Sequence, residues 1–399
     1  MIAVRQHPVN VAGLEATELP TRTLRDVSAS KLRLAIVGAG DVAHRRYLPA
    51  LSGRSDRVEV AAIIDPRPGA GEATVESIRF WSPAAESYPD LDSAPLDSLD
   101  AAVNLTPAPL HGDVNRELLL AGLHVYSEKP LASSLEEADR VIDTARRAER
   151  LLLCAPGTAA SPRFRWLRDV IDSGRYGAPT LVVGHHADPG PAAWREYTGD
   201  PTPFYREGVG PVFDHGIYRL HEMTMLMGPV RRVQAMGSIS SPTRRVRGGP
   251  LTGQTIEVTT PDHVLINMEF ATGTLGQLLA SFGTPATLAP WLEVHFPGAT
   301  VSFGGESWDP AAPVSLYLDD DGPDAREGWE HGIEVPTDGD GVVETGIRHF
   351  VACLLGEDTP VLTAEHARHV LDVVLKAYAS VEDGRSHDTE TTFSDARVR

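Results

Sequence analysis

Three lysines stand among the 36 basic residues, and one of them, Lys129, falls in Ser127-Glu128-Lys129-Pro130, directly after the apolar Leu123-His124-Val125-Tyr126. In a chain that uses arginine for almost every cation, that choice matters. A buried site pulls a lysine toward neutrality, whereas an arginine stays charged. Lys129 is therefore the first candidate for proton transfer; the alternative is an ordinary lysine at a strand end. A second group is Gly38-Ala39-Gly40-Asp41-Val42-Ala43, which follows the apolar stretch Leu32 to Val37. Glycine at the first position permits a tight turn, and at the second it lets the backbone approach a pyrophosphate. Ala43 lets helix and strand pack closely, and the helix N-terminus faces the phosphates. Asp65 closes the next apolar run, Val58 to Ile64, where a carboxylate accepts from both hydroxyls of an adenosine ribose. Such a carboxylate repels a 2′-phosphate and favours NAD, while Arg67 keeps NADP open.

Positioning these groups takes alternating short strands and helices. Leu32 to Val37, Val58 to Ile64, Ala101 to Leu105, His124 to Tyr126 and Leu151 to Cys154 read as buried strands. Helices fit the segment after Gly40 through Leu51, Gly112 to Ala121, and residues 135 to 149 with Leu135, Ala138, Val141, Ile142 and Ala145 at helix spacing. The expectation is a doubly wound parallel sheet of the Rossmann type over 31–155. Beyond Pro156 the pattern shifts. Helices are expected over 161–173, 212–227, 344–355 and 363–382, and a strand from Thr180 to His185. A Pro/Gly/aromatic loop spans 187–211, residues 231–318 read as mostly β, and 319–341 as loop. Residues 156–399 are read as a substrate-binding and oligomerisation domain whose last helices are able to pack back on the first. Residues 1–30 show no clear period; an arm on another subunit and a partly ordered tail both fit.

The formal net charge of −19 repels polyanions, so nucleic acid and acidic membrane surfaces are poor partners. No segment is a membrane span and the start lacks a secretory signal, which reads as cytoplasmic. Cys154 and Cys353 lie in apolar runs without metal spacing and read as core packing.

Together with Thr106-Pro107-x-x-Leu110-His111 and Glu128-Lys129-Pro130-Leu131-Ala132, the glycine motif makes the chain resemble the Gfo/Idh/MocA family, from about residue 32 to the last helix. The resemblance implies a Rossmann domain followed by an α/β domain with a large, open-faced, mostly antiparallel sheet, often used to form dimers or tetramers. It implies that Thr106, Pro107, His111 and Glu128 line the cofactor with the glycine loop. It also places Lys129 beside the nicotinamide and the substrate hydroxyl, and makes the bond before Pro130 cis in many members. The segment Gly208 to Tyr218 is similar to the family's Asp-x-Gly-x-His, with the aspartate at Asp214 and Tyr218 in the histidine position, a substitution some relatives share. Asp214, Tyr218 and His221 stand at i, i+4 and i+7, on one helix face. Alcohol oxidation needs the hydroxyl proton removed as the hydride leaves. Lys129 against Tyr218 in a partly dry pocket is expected to lower both pKa values, because a cation favours tyrosinate and burial disfavours ammonium. Tyr218 or Lys129 carries the proton in this reading, and Asp214 positions lysine and substrate.

Other residues suit the substrate less specifically. His185 and His186 end a strand and point to opposite faces, so at most one reaches a pocket; His185 is the one assigned to substrate. Trp194, Arg195, Tyr205 and Arg206 belong to a loop of sugar-gripping composition. His111 sits on the rim where ligands bind an open α/β sheet, or else caps a helix. His215 adjoins Asp214, but neighbours on a helix diverge and no further cluster completes a ligand set, so no metal is expected.

The leading functional reading is an NAD(P)-dependent oxidoreductase acting on a secondary alcohol or ketone of a sugar, cyclitol or glycoside, as a homo-oligomer. The alternative is a glycosidase or lyase in which tightly bound NAD transiently oxidises the sugar. A non-catalytic sensing or assembly protein would normally have lost the lysine.

Overall fold

The computed structural model describes residues 31–305, 309–319 and 327–394. Its first sheet comprises β1 (Leu32–Val37), β2 (Val58–Ile64), β3 (Glu86–Tyr88), β4 (Ala101–Asn104), β5 (His124–Ser127) and β6 (Leu152–Cys154). These six strands run parallel in the order β3-β2-β1-β4-β5-β6. The apolar side chains of β1, β2, β4 and β5 are buried on both faces, which explains their unbroken apolar runs. The order reverses at β1, so the carboxyl ends of β1 and β4 flank the crevice where such sheets bind ligands.

The second sheet contains β7 (Leu181–Ala187), β8 (Val230–Ser238), β11 (His263–Phe270), β12 (Leu275–Ser281), β13 (Leu292–Phe296), β14 (Ala299–Phe303), β15 (Val314–Asp319), β16 (Glu327–His331) and β17 (His387–Asp388). Strands β9 (Thr243–Arg245) and β10 (Thr255–Glu257) pair apart from it. The nine strands run β16-β15-β14-β13-β7-β12-β11-β8-β17, and only β7 and β12 pair in parallel. Period-two alternation is clear in β11, where Val264, Ile266, Met268 and Phe270 point inward and Leu265 is exposed. Met236, Leu265 and Leu275 leave the outer face open and partly apolar. One departure from expectation is β16, a strand inside the acidic, glycine-rich stretch 319–341 read as loop.

The inner face carries a π turn, Val212–Gly216, that continues into the helix Ile217–Met227. Gly216 lets this segment lie close to β12, because a Cβ there would approach Ala280 Cβ to 3.0 Å. Two later helices tie the sheets together. Ile347, Phe350, Val351 and Leu354 of Val342–Leu354 join the core of the first sheet. The helix Ala364–Asp383 gives Ala364, Ala367 and Leu371 to the first sheet and Val370, Val373, Val374 and Ala377 to the second. Among the described residues no helix is long and apolar enough to cross a membrane. The expectation for residues 1–30 lies outside the described residues.

Candidate active site

Gly38 ends β1 at φ +99°, and a Cβ there would meet Leu105 O at 2.6 Å, so only glycine lets β1 turn beside β4. Around Gly40 no atom lies within 4 Å of a built Cβ, which leaves open space where a pyrophosphate approaches the backbone. The helix starts at Asp41, Ala43 is buried under it, and Val42 packs on the first core. Asp41 accepts from Arg45 Nε at 2.7 Å and from the Thr198 hydroxyl, so the 187–211 loop reaches the dinucleotide turn. These features fit an NAD(P) pyrophosphate.

Asp65 is buried, and both its oxygens are occupied. Arg67 donates to them through Nε at 2.9 Å and Nη2 at 2.8 Å, and the Ala39 and Arg67 N–H groups add two more bonds. Burial pushes its pKa up, but the bonds from Arg67 and the backbone outweigh it and hold the carboxyl below its ordinary value. The sequence favours NAD through Asp65 and keeps NADP open through Arg67. Here an exposed guanidinium neutralises the carboxylate, so Asp65 no longer argues against a 2′-phosphate.

Thr106 donates from N and Oγ1 to Asn104 Oδ1, which pins the turn after β4 and leaves Pro107 exposed. His111 is buried, with Nδ1 2.6 Å from Pro130 O and Nε2 2.8 Å from Thr106 O. It clamps two loops together and has no free face for a cofactor. Glu128 also turns inward, accepting from Tyr47 Oη at 2.7 Å and from Lys129 N at 2.9 Å.

Lys129 follows β5, and its bond to Pro130 is cis, as the resemblance implied. Its Nζ donates to the Asp214 carbonyl, lies 3.2 Å from Asp214 Oδ1, and stands 4.9 Å above the Tyr218 ring centroid. Asp214 and Tyr218 thus share the face expected of them. The expected direction for Tyr218 is reversed: burial, then Glu128 and Asp214, raise it well above the ordinary tyrosine value. Burial acts on the phenol as on an ammonium, against the charged form. His221 does not join them in the way expected. It is buried edge-on against His366, with ring centroids 4.9 Å apart, and burial followed by Lys129 pushes its pKa down to about 3.

The tandem histidines resolve in favour of His186. His185 Nδ1 sits 2.8 Å from Pro290 O on the outer side of β7, whereas His186 turns inward to His215, ring centroids 4.2 Å apart. Trp194 stacks on His215 at 5.1 Å and 15°. Tyr205 is a correction: it is fully buried against Phe282 and Val246 in a small separate core, and its hydroxyl accepts from Ala192 N. Arg195 is exposed, and Arg206 pairs with Glu257 at 3.5 Å. The premise for expecting no metal also fails in space, because His186 and Asp188 from the end of β7 meet His215. Sequence reasoning missed His186, Asp188 and Tyr47; only the face of β7 that meets the helix would have singled out His186.

A parallel sheet of the dinucleotide-binding type joined to an open mixed sheet, with Lys129 and Asp214 meeting between them, defines a two-part α/β architecture. Residues 32–155 match the model of the Gfo/Idh/MocA oxidoreductase family's NAD-binding Rossmann fold, and residues 164–302 match its C-terminal domain. The chain belongs to this family. It is similar to the dTDP-3,4-didehydro-2,6-dideoxy-alpha-D-glucose 3-reductase of Actinomadura kijaniata, 30% identical over 202 residues, 50% of this chain and 58% of that protein. The chain thus spans little more than half the length of the first such curated relatives, 58% and 56%. It is also similar to the NADP(+)-dependent D-xylose 1-dehydrogenase of Haloarcula marismortui, 23% identical over 359 residues, 88% of this chain and 91% of that protein. Among solved structures it resembles the WlbA dehydrogenase of Bordetella pertussis in complex with NADH and UDP-GlcNAcA. The TM-score is 0.66 at 20% identity, over 92% of this chain and 99% of that one.

Proposed function

We propose that the chain transfers a hydride between NAD(P) and a secondary alcohol or ketone of a sugar, cyclitol or glycoside, nucleotide-linked sugars included. One observation carries this reading: Lys129 Nζ, at the carboxyl edge of the dinucleotide sheet, is held 3.2 Å from Asp214 and over the Tyr218 ring. When bound, the nicotinamide accepts or supplies the hydride. Lys129 exchanges the proton of the reacting oxygen, and Asp214 fixes the lysine and the substrate hydroxyl in register. Tyr218 keeps its own proton, since burial and two carboxylates raise its pKa. It acts as a face on which the ammonium rests. The relatives' names, a nucleotide-sugar reductase and a pentose dehydrogenase, support a sugar-like substrate. Exposed Met236 and Leu265 on the open sheet face support self-association there.

The test is a panel of sugars, cyclitols and nucleotide sugars incubated with the chain and NAD+ or NADP+. Net NADH or NADPH formation with one class supports the reading. Turnover without net absorbance change, with cofactor retained through gel filtration, would assign a redox-assisted glycosidase or lyase instead.

A further inference from the structure

Among the described residues a single set of three histidine and carboxylate side chains brings donor atoms within 4.8 Å of one another: His186, Asp188 and His215. We infer that these three residues bind one divalent transition-metal ion, of the zinc class. Asp188 Oδ2 lies 3.0 Å from His215 Nδ1 and 3.8 Å from His186 Nε2. A tetrahedral zinc with bonds of about 2.0–2.1 Å holds its donors about 3.3 Å apart. The two observed edges bracket that spacing, and all three donor atoms lie within 4.8 Å of one another.

The surroundings are arranged as a metal site requires. Asp188 Oδ1 accepts from Gly190 N at 2.6 Å, which leaves Oδ2 turned toward the histidines. A ligating histidine usually presents its other nitrogen to a carboxylate, which fixes the tautomer. His215 does so: its Nε2 lies 3.4 Å from Asp214 Oδ2. Trp194 stacked on His215 and the Phe282 edge at 5.6 Å wall the site with aromatic carbon. Both histidines are buried, and the Asp188 side chain is about one quarter exposed at 26%, so an exchangeable fourth ligand has an entry. Two imidazoles and one carboxylate suit zinc, cobalt or nickel better than calcium or magnesium. Asp214 also touches Lys129, so one carboxylate links the ion site to the proposed proton carrier.

The test needs neither substrate nor cofactor, so its outcome is separate from that of the proposed reaction. The full chain, freed of any histidine tag and stripped with chelator, is titrated with ZnCl2 by calorimetry and with CoCl2 by visible absorption. The expected result is one ion per chain and the intense d–d bands of a four- or five-coordinate cobalt site. His215→Ala and the partly exposed Asp188→Asn should each abolish stoichiometric binding. Asp214→Asn should weaken it about 10- to 100-fold, as loss of an outer carboxylate does. Circular dichroism confirms that each variant is folded, and Asp188→Asn decides the matter if His215→Ala is not. No stoichiometric binding, or binding that survives Asp188→Asn unchanged, would overturn the site and leave the cluster as hydrogen-bonded side chains only.

Discussion

Lys129 and Asp214 lie 85 residues apart in sequence and 3.2 Å apart in space, joining the loop after β5 to the π turn on the second sheet. Both side chains are nearly buried, and a pair of this kind gives little net stability. Its worth lies in position. Asp214→Asn keeps the shape and removes the charge that aims the ammonium. The expected loss in kcat is about 100-fold, the usual effect of a displacement near 1 Å, while cofactor affinity by fluorescence stays unchanged.

Tyr218 separates two accounts of the proton. Its pKa is raised by burial and by Glu128 and Asp214, so the phenol is neutral across the working range. Tyr218→Phe should therefore keep the form of the kcat/KM pH profile and lose no more than about tenfold in rate, below the usual contribution of a general base. Loss of the alkaline limb in Tyr218→Phe would hand the proton to the tyrosine.

The Asp65–Arg67 pair is expected to govern the choice between NAD+ and NADP+. With the guanidinium in place, NAD+ and NADP+ should both bind. Arg67→Ala exposes the carboxylate and should shift the ratio of dissociation constants toward NAD+ by about 10- to 100-fold, the value of a charged hydrogen bond of about 1.5–3 kcal/mol. Titration of both cofactors against native and variant protein measures it.

Two histidines foretell acid sensitivity. His124 Nδ1 accepts from Leu151 N and His369 Nε2 from Val230 N, and burial pushes both pKa values down to about 4. A histidine depressed from 6.5 to about 4 contributes its full stability above pH 6.5, and that stability is lost as pH falls toward 4. Each accounts for about 3 kcal/mol at most. Urea midpoints should fall between pH 6.5 and 4 and fall less steeply in His369→Gln, which keeps an acceptor for Val230 N without titrating.

Much of this architecture was legible locally. The unbroken apolar runs of β1, β2 and β4 and the glycine turn between β1 and its helix are short-range patterns, and they lie where expected. The hairpin of β11 and β12 was readable from its alternation. Strand β16 was not, because it owes its place to β15 rather than to its own periodicity, and the short helix Ala70–Ile78 buries Gly71, Thr74, Val75 and Ile78 at helix spacing, of which only two are strongly apolar. The site followed the same rule. Lys129 and Asp214 sit in motifs, whereas the choice of His186 over His185 depends on which face of β7 the helix covers. Tyr205 looked like a sugar-stacking residue because loop composition does not tell a satellite core from a cleft. The effective charges of Asp65 and Tyr218 depend on partners whose aim only the fold supplies.

The central claim is that Lys129 exchanges the proton of the reacting oxygen. Its most direct test is single-turnover hydride transfer in Lys129→Met, loaded with cofactor and given whichever sugar or cyclitol the native chain turns over. Loss of about 10²- to 10⁴-fold in rate, with cofactor affinity unchanged, is the predicted result. Native-like transfer from a variant that binds cofactor normally would contradict it.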